Sequence, residues 1–258
     1  MGINFHSEDN RGSYTTREAD ASWVAAMKEL VSYQDIAKAA DIGCGGGIYS
    51  KALADMGANS VTGVDFSEAM LKGASEYCWD RKNIRFHYGT AFASGINANE
   101  LQLVLERALI HHIKDLRACF QEAYRILGNG GVYIIQDRTP EDCLIKGSDS
   151  HIRGYFFEKL PRLKDIETKR RHAAPTVIHA LKEAGFHNIE QRKLWETREI
   201  YSSKTQLLKD VEERTGRSIL HELNEEELTN LLQHLDQSIT REETIVEKDR
   251  WTLWKAVK

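Results

Sequence analysis

Asp41-Ile42-Gly43-Cys44-Gly45-Gly46-Gly47 decides how the rest of the chain is read. A short apolar run ending in Ala39-Ala40-Asp41-Ile42 leads into it, and Ile48, Ala52, Leu53 and Met56 follow at helical spacing. The glycines therefore sit where a strand turns into a helix. Gly43 and Gly45 let the backbone bend where a side chain would clash. Gly47 admits the chain to the helix, whose first N–H groups are placed to donate to a polar ligand. The spacing is G-x-G-x-G. A dinucleotide site uses G-x-G-x-x-G, and position 48 here is Ile. Asp41 puts negative charge beside the turn, which repels a pyrophosphate and suits an ammonium or sulfonium group. The motif favours a cationic nucleoside over a dinucleotide.

Outward from the turn, short apolar runs alternate with helical periodicity through the first 140 residues, the pattern of βαβ units around a parallel sheet. A first helix is expected from Ser22 to Tyr33, with Trp23, Met27, Leu30 and Val31 on one face. Ser60 to Asp65 reads as the second strand, and Ser67 as the N-cap of the next helix. Ile84 to His87, Leu101 to Leu105 and Val132 to Asp137 read as later strands. Leu116, Cys119, Phe120, Ala123, Tyr124 and Leu127 mark an amphipathic helix, stopped by Gly128-Asn129-Gly130-Gly131. Residues 141–172 are polar and read as an insertion. A helix opened by Pro175, a strand over Asn188 to Trp195, two charged helices across 203–238 and a last strand or strand pair from Glu243 to Val257 complete the chain.

Asp65, at the end of the second strand, lies beside the glycine turn in this topology. There a carboxylate can accept from both hydroxyls of a ribose. The bland alternative is a turn residue before Ser67.

Composition bounds the rest. A chain of 258 residues suffices for one large α/β domain with an appendage, or two small domains. Its net charge of -4 offers no global attraction for nucleic acid or an anionic membrane. No apolar run approaches a membrane span, and Met1 to Asp20 lacks a signal-peptide centre. Cys44, Cys78, Cys119 and Cys143 are too scattered for a metal site or a disulfide framework, so no metal and a reducing, cytoplasmic setting are expected.

Asp41 to Gly47 followed by Gly63-Val64-Asp65 resembles the first motif and the strand-two acid of class I S-adenosylmethionine-dependent methyltransferases. Leu105 to His112, and Glu122 to Gly131, resemble later segments of their small-molecule branch, which includes the ubiquinone and menaquinone biosynthesis type. The resemblance covers roughly residues 35–140. It implies a Rossmann-like, doubly wound α/β fold whose seven-stranded sheet is mostly parallel, with a late antiparallel strand. It implies one methyltransferase domain over 1–258. Within it, 35–140 is the cofactor core and 173–258 completes the sheet with added helices, while the helical insertion 141–172, together with the N-terminal arm, reads as the candidate lid and acceptor pocket.

The same resemblance implies that S-adenosyl-L-methionine is the cofactor. Asp41, Gly43, Cys44, Gly45 and Gly47 would hold its methionine part, Asp65 its ribose, and Phe66, Thr90 and Ala91 its adenine. Glu106 and Arg107 would lie below the methionine. Tyr14-Thr15-Thr16-Arg17 resembles a segment that folds over the cofactor, with Arg17 on the carboxylate; a solvated arm is the alternative. Thr90 stands where relatives often carry Asp or Asn, and Gln102 where they tend to carry Asp.

Methyl transfer needs a base only when the acceptor is protonated and weakly nucleophilic. His111 and His112 are the candidates, or else the structural start of a loop. Tyr155, Phe156 and Phe157 either line an apolar acceptor site or bury the insertion. No N-P-P-Y-like tetrapeptide follows strand four, so a small molecule is the expected acceptor, for a monomer or homodimer that binds no nucleic acid and no membrane. A nicotinamide-dependent oxidoreductase and a non-catalytic S-adenosylmethionine-binding module stand as alternatives.

Overall fold

The computed structural model describes residues 18–32 and 36–258. Alternation along each central strand sends successive side chains to opposite faces, and both faces are apolar. Ala40, Ile42, Val104, Tyr133 and Ile135 enter one core, with Phe120, Ile126, Leu181 and Phe186. Ala39, Val61, Leu103, Leu105 and Ile134 enter the other, with Trp23, Met27 and Leu53. A sheet buried on both sides needs helices on both sides, which is the doubly wound arrangement.

The strands are β1 (Lys38–Ile42), β2 (Ser60–Asp65), β3 (Ile84–Tyr88), β4 (Leu101–Arg107), β5 (Leu127–Asp137), β6 (His187–Tyr201) and β7 (Ile245–Val257). They form one seven-stranded sheet in the order β3-β2-β1-β4-β5-β7-β6. The pairings β1–β2, β1–β4, β2–β3 and β4–β5 are parallel, and β7 runs antiparallel to β5. The order reverses at β1, so the carboxyl ends of β1 and β4 open the crevice where ligands of such sheets bind.

Helices α1 (Ala21–Leu30), α2 (Ile48–Asp55), α3 (Glu68–Tyr77) and α4 (Leu116–Ile126) flank this region. Asp20, Ser67 and Asp115 cap α1, α3 and α4 by accepting from backbone N–H groups. The first helix ends at Leu30, and Tyr33, the end expected from periodicity, lies outside the described residues. The stretch Gly128–Gly131 does not precede the fifth strand. It lies inside β5, where pairing to β4 shifts between Leu101 and Leu103, and Gly130 takes a φ of 77°. A glycine-rich bulge absorbs the extra residues there.

The described residues divide into two compact units. One comprises residues 18–137, Ala174–Leu194 and Thr252–Lys258; the other comprises Arg138–Ala173 and Trp195–Trp251. The first includes α8 (Ala174–Glu183). The second holds α5 (Pro140–Cys143), α6 (Arg153–Lys159), α7 (Arg162–Lys169), α9 (Lys204–Glu212) and α10 (Glu225–Ser238). It has its own apolar core, built from Phe156, Phe157, Leu163, Leu207, Val211, Leu228, Leu231 and Leu235. Phe156 and Phe157 are thus core residues of this unit, while Tyr155 packs half-buried at its edge.

Gly63 in β2 shows how tightly the ring of Phe86 is held. A Cβ at Gly63 would lie 2.5 Å from Phe86 Cε1 and 3.1 Å from Cys44 Sγ. A Cβ at Gly47 would stand 3.1 Å from Phe86 Cζ, so the ring has little room to retreat. Gly63→Ala is therefore expected to destabilise the fold by about 1–3 kcal/mol, through overpacking. Urea denaturation would measure the loss, and a stability equal to the parent's would contradict this account of the packing.

Candidate cofactor site

Strand β1 delivers Asp41 and β2 delivers Asp65 to the two sides of the glycine turn. Three left-handed residues make that turn: Gly43 (φ 74°), Gly45 (φ 49°) and Gly47 (φ 83°). The N–H groups of Gly43 and Cys44 both donate to Val64 O, at 2.7 and 3.0 Å, and Gly47 N–H donates to Cys44 O at 3.0 Å. Gly45 N–H donates to Asp65 Oδ2 and Ser67 N–H to Asp65 Oδ1, each at 2.9 Å. The N–H groups of residues 43, 44 and 45 are engaged by Val64 and Asp65 of β2, and that of Gly47 within the turn itself, as buried backbone donors require. What the turn offers a ligand is a bare surface. A Cβ at Gly45 would meet nothing within 4 Å.

Cys44 contributes backbone only, since its buried side chain points toward Gly63. Gly43 is covered by Leu109, whose Cδ1 would lie 2.9 Å from a Cβ there. Periodicity gave no signal for Leu109, because its position depends on how the chain leaves β4.

Asp41 is buried, and its Oδ2 accepts from Ser50 Oγ at 2.7 Å. Burial pushes its pKa up to about 6; the Ser50 hydrogen bond opposes that rise, and Asp65 nearby adds to it. A cation arriving beside this carboxylate would be attracted to it.

The remaining expected residues separate. Phe66 is 43% exposed at the end of β2, as a platform for a flat ring requires. Thr90 Oγ1 accepts from the N–H groups of Phe92 and Ala93, at 3.2 and 3.1 Å, so its hydroxyl builds a turn. Ala91 is buried in the core beneath it. Gln102 Oε1 accepts from Lys38 N–H at the start of the sheet, away from the crevice. Glu106 and Arg107 do not share a face. Glu106 turns into the core, where Cys119 Sγ donates to its carboxylate at 3.4 and 3.6 Å, and burial raises its pKa to about 7. It is not the cofactor neighbour expected, because a period of two sends it to the α4 side. Arg107 stays on the other side, with its guanidinium carbon 4.1 Å from the ring centre of Tyr49 and Nε donating to Gln136 Oε1 at 3.1 Å. Tyr14 and Arg17 lie outside the described residues.

A feature that sequence reasoning missed stands at the end of β5. Asp137, 1% exposed, lies 2.8 Å through Oδ2 from His111 Nδ1 and also accepts from the His111 backbone N–H at 3.1 Å. The His112 ring lies against that of His111, with centroids 4.0 Å apart, and is exposed. The position of Asp137 at a strand's carboxyl end was the available signal. Among the described residues, no group of three or more His, Cys, Asp or Glu is gathered as a metal site would be, and all four cysteines are free thiols.

A doubly wound sheet with a bare glycine turn and an acid ending β2 defines a protein of the Rossmann-like class. Comparison with known proteins narrows the class. Residues 40–135 match the family model described as a methyltransferase domain. The ubiquinone biosynthesis O-methyltransferase of Psychrobacter arcticus is 31% identical over 113 residues, 42% of this chain and 44% of the relative. The matched stretch thus spans less than half of that relative's length. Among solved structures, a methyltransferase from an antibiotic biosynthesis pathway of Anabaena variabilis superposes with a TM-score of 0.71 at 20% identity, covering 93% of this chain and 98% of that one. Phosphoethanolamine N-methyltransferase 2 of Haemonchus contortus, solved with S-adenosyl-L-methionine, gives 0.60 at 20% identity, over 99% and 60% of the two chains.

The raised pKa of Asp41 has a sign that can be checked. Between its ordinary value of 3.8 and about 6, the folded protein keeps a proton that the unfolded chain has released. Stability from this group therefore falls as pH rises through that window and stays lost above it. Asp41→Asn is expected to be more stable than the parent at pH 7, by on the order of 2–3 kcal/mol, with the gap closing below about pH 4. Denaturant melts of both proteins across pH would test this. An Asn variant less stable than the parent at neutral pH would contradict it.

Proposed function

We propose that this chain is an S-adenosylmethionine-dependent methyltransferase for a small-molecule acceptor, with His111 as general base. The observation that carries the reading is the open edge at Gly45, set between the carboxylates of Asp41 and Asp65. The residues fit an adenosyl sulfonium compound. Asp65, at the end of β2 beside the glycine turn, is placed to accept from ribose hydroxyls. Asp41 complements a positive charge, and Phe66 offers an exposed ring. When bound, the cofactor supplies an electrophilic methyl group.

The chain's own task is to align the acceptor, exclude water and manage one proton. Asp137 sets the tautomer of His111 by taking the Nδ1 proton as its hydrogen bond, which makes Nε2 the basic nitrogen. An acceptor hydroxyl or amine would give its proton to that nitrogen. Strong backbone and side-chain bonds to one carboxylate hold the imidazole in a single orientation. A cytoplasmic setting suits this reading, and no helix among the described residues is long and apolar enough to cross a membrane.

Calorimetry should show S-adenosylhomocysteine binding with a Kd in the micromolar range, weakened about 10- to 100-fold in Asp65→Ala. No heat with the parent protein would overturn the cofactor assignment. With an acceptor found by screening, His111→Gln and Asp137→Asn should each lower kcat by about 10²-fold or more, at unchanged affinity for S-adenosylhomocysteine. An unaltered kcat and pH profile in both variants would leave the pair a structural one.

A further inference from the structure

The loop that follows β3, residues 89–96, is fastened at both ends within the first unit. At its start Gly89 N–H donates to Asp65 O at 3.1 Å, so the loop begins against the acid that ends β2. A Cβ at Gly89 would lie 2.6 Å from Val64 Cγ1 and 2.8 Å from Ser94 O, so the start of the loop packs against its return. In between, Thr90 and Ala93 exchange backbone hydrogen bonds at 3.1 and 3.2 Å. Phe92 stands 48% exposed in that turn, while Ala91 is buried. The Ala91 N–H donates to no acceptor among the described residues.

The far end is fastened by α4. Glu122 Oε1 accepts from both Ser94 N–H and Ser94 Oγ, at 2.8 and 2.6 Å. Arg125, one turn along the helix, donates through Nε to Glu122 Oε2 at 2.7 Å and through Nη2 to Oε1 at 2.8 Å. The same Nη2 donates to Ile96 O at 2.7 Å. On the strand side His87 Nε2 lies 2.7 Å from Ser94 O; a carbonyl only accepts, so that nitrogen carries the proton. The N–H, hydroxyl and carbonyl of the buried Ser94 thus each have a partner.

Glu122 is itself buried. Burial alone would raise its pKa, but the bonds from Arg125 and Ser94 outweigh burial and hold the carboxyl below its usual range. A neutral acceptor would satisfy the two donors of Ser94. A carboxylate gripped by a guanidinium fork holds them more strongly and in one direction. Such stiffness belongs where a loop must present a surface in one place, because a binding site is only as well placed as the residues that support it.

We propose that Glu122, braced by Arg125, is a positioning residue for the base of the cofactor. It acts through Ser94 and fixes residues 90–92 beside the carboxyl end of β2. This role rests on the cofactor reading above, in which adenine lies against residues 90–92. There the Ala91 N–H donates to a ring nitrogen that only accepts. In hypoxanthine the corresponding nitrogen carries a hydrogen, and two donors meet. Loosening the Glu122 tie lets the segment drift, and the preference between the two bases shrinks with it.

The test titrates the full chain and its Glu122→Gln variant with S-adenosylhomocysteine and with S-inosylhomocysteine, the hypoxanthine counterpart. Calorimetry of the parent should show the adenine compound bound at least about tenfold more tightly. In Glu122→Gln one neutral oxygen replaces a charged pair, and the ratio should fall to about twofold or less, mainly through weaker binding of the adenine compound. A merely structural loss would weaken both ligands by the same factor and leave the ratio intact. Ser94→Ala removes the hydroxyl bond and keeps the backbone one, so it should shrink the ratio by a smaller factor; it decides the matter should Glu122→Gln fail to fold. An unchanged ratio in the folded variants, or a parent without preference for adenine, would overturn this role and leave the cofactor reading standing. No binding of S-adenosylhomocysteine to the parent would overturn the cofactor reading and this role with it.

Discussion

The carboxylate of Asp65 is the joint on which the site depends. One oxygen fixes Gly45 and the other fixes Ser67, so a single side chain ties the glycine turn to the start of α3. Val64, its neighbour on β2, receives both Gly43 and Cys44 through its carbonyl. Four backbone donors from two segments therefore end on two consecutive residues. The turn keeps its bare outer edge because its inner edge is spoken for. Hydrogen bonds to a charged acceptor are among the stronger ones in a protein, which suits a joint that carries two loops.

The buried carboxylates of the two units obey opposite electrostatics. Asp41 and Glu106 lie in the first unit with too little positive charge to offset burial, and both are pushed toward neutrality. Glu167 and Asp249 lie in the second unit among arginines and are held well below the usual carboxylate range. Both pairs come from ordinary acidic residues; their surroundings make the difference.

Much of the first unit was legible in the sequence because local rules decide it. The glycine spacing, the Ser67 cap and the apolar alternation of β1, β2 and β4 all act over a few residues, and the structure follows them. The fate of Gly128–Gly131 was not legible. Glycines mark a break in either a helix-to-strand turn or a bulge, and only the pairing of β4 with β5 chooses between them. Glu106 was misplaced because motif alignment fixes a position along a strand and not which face it takes. Asp137 and Leu109 were missed for a related reason. Their partners, His111 and Gly43, are brought near by chain crossings that no local pattern encodes. In the second unit Arg138, Arg153 and Arg171 stand far apart in sequence, and only the fold brings them to Glu167 and Asp249.

Ala108, between β4 and the short turn Ile110–His112, takes a left-handed backbone at φ 51°, which is unfavourable for a residue with a side chain. Its N–H is held by Gln136 O at 2.8 Å, one residue before Asp137. The same two-residue step on β5 thus bends the chain and receives the imidazole. The imidazole is thereby held in one orientation by the fold itself, and the conformational cost of this corner is met once, when the chain folds.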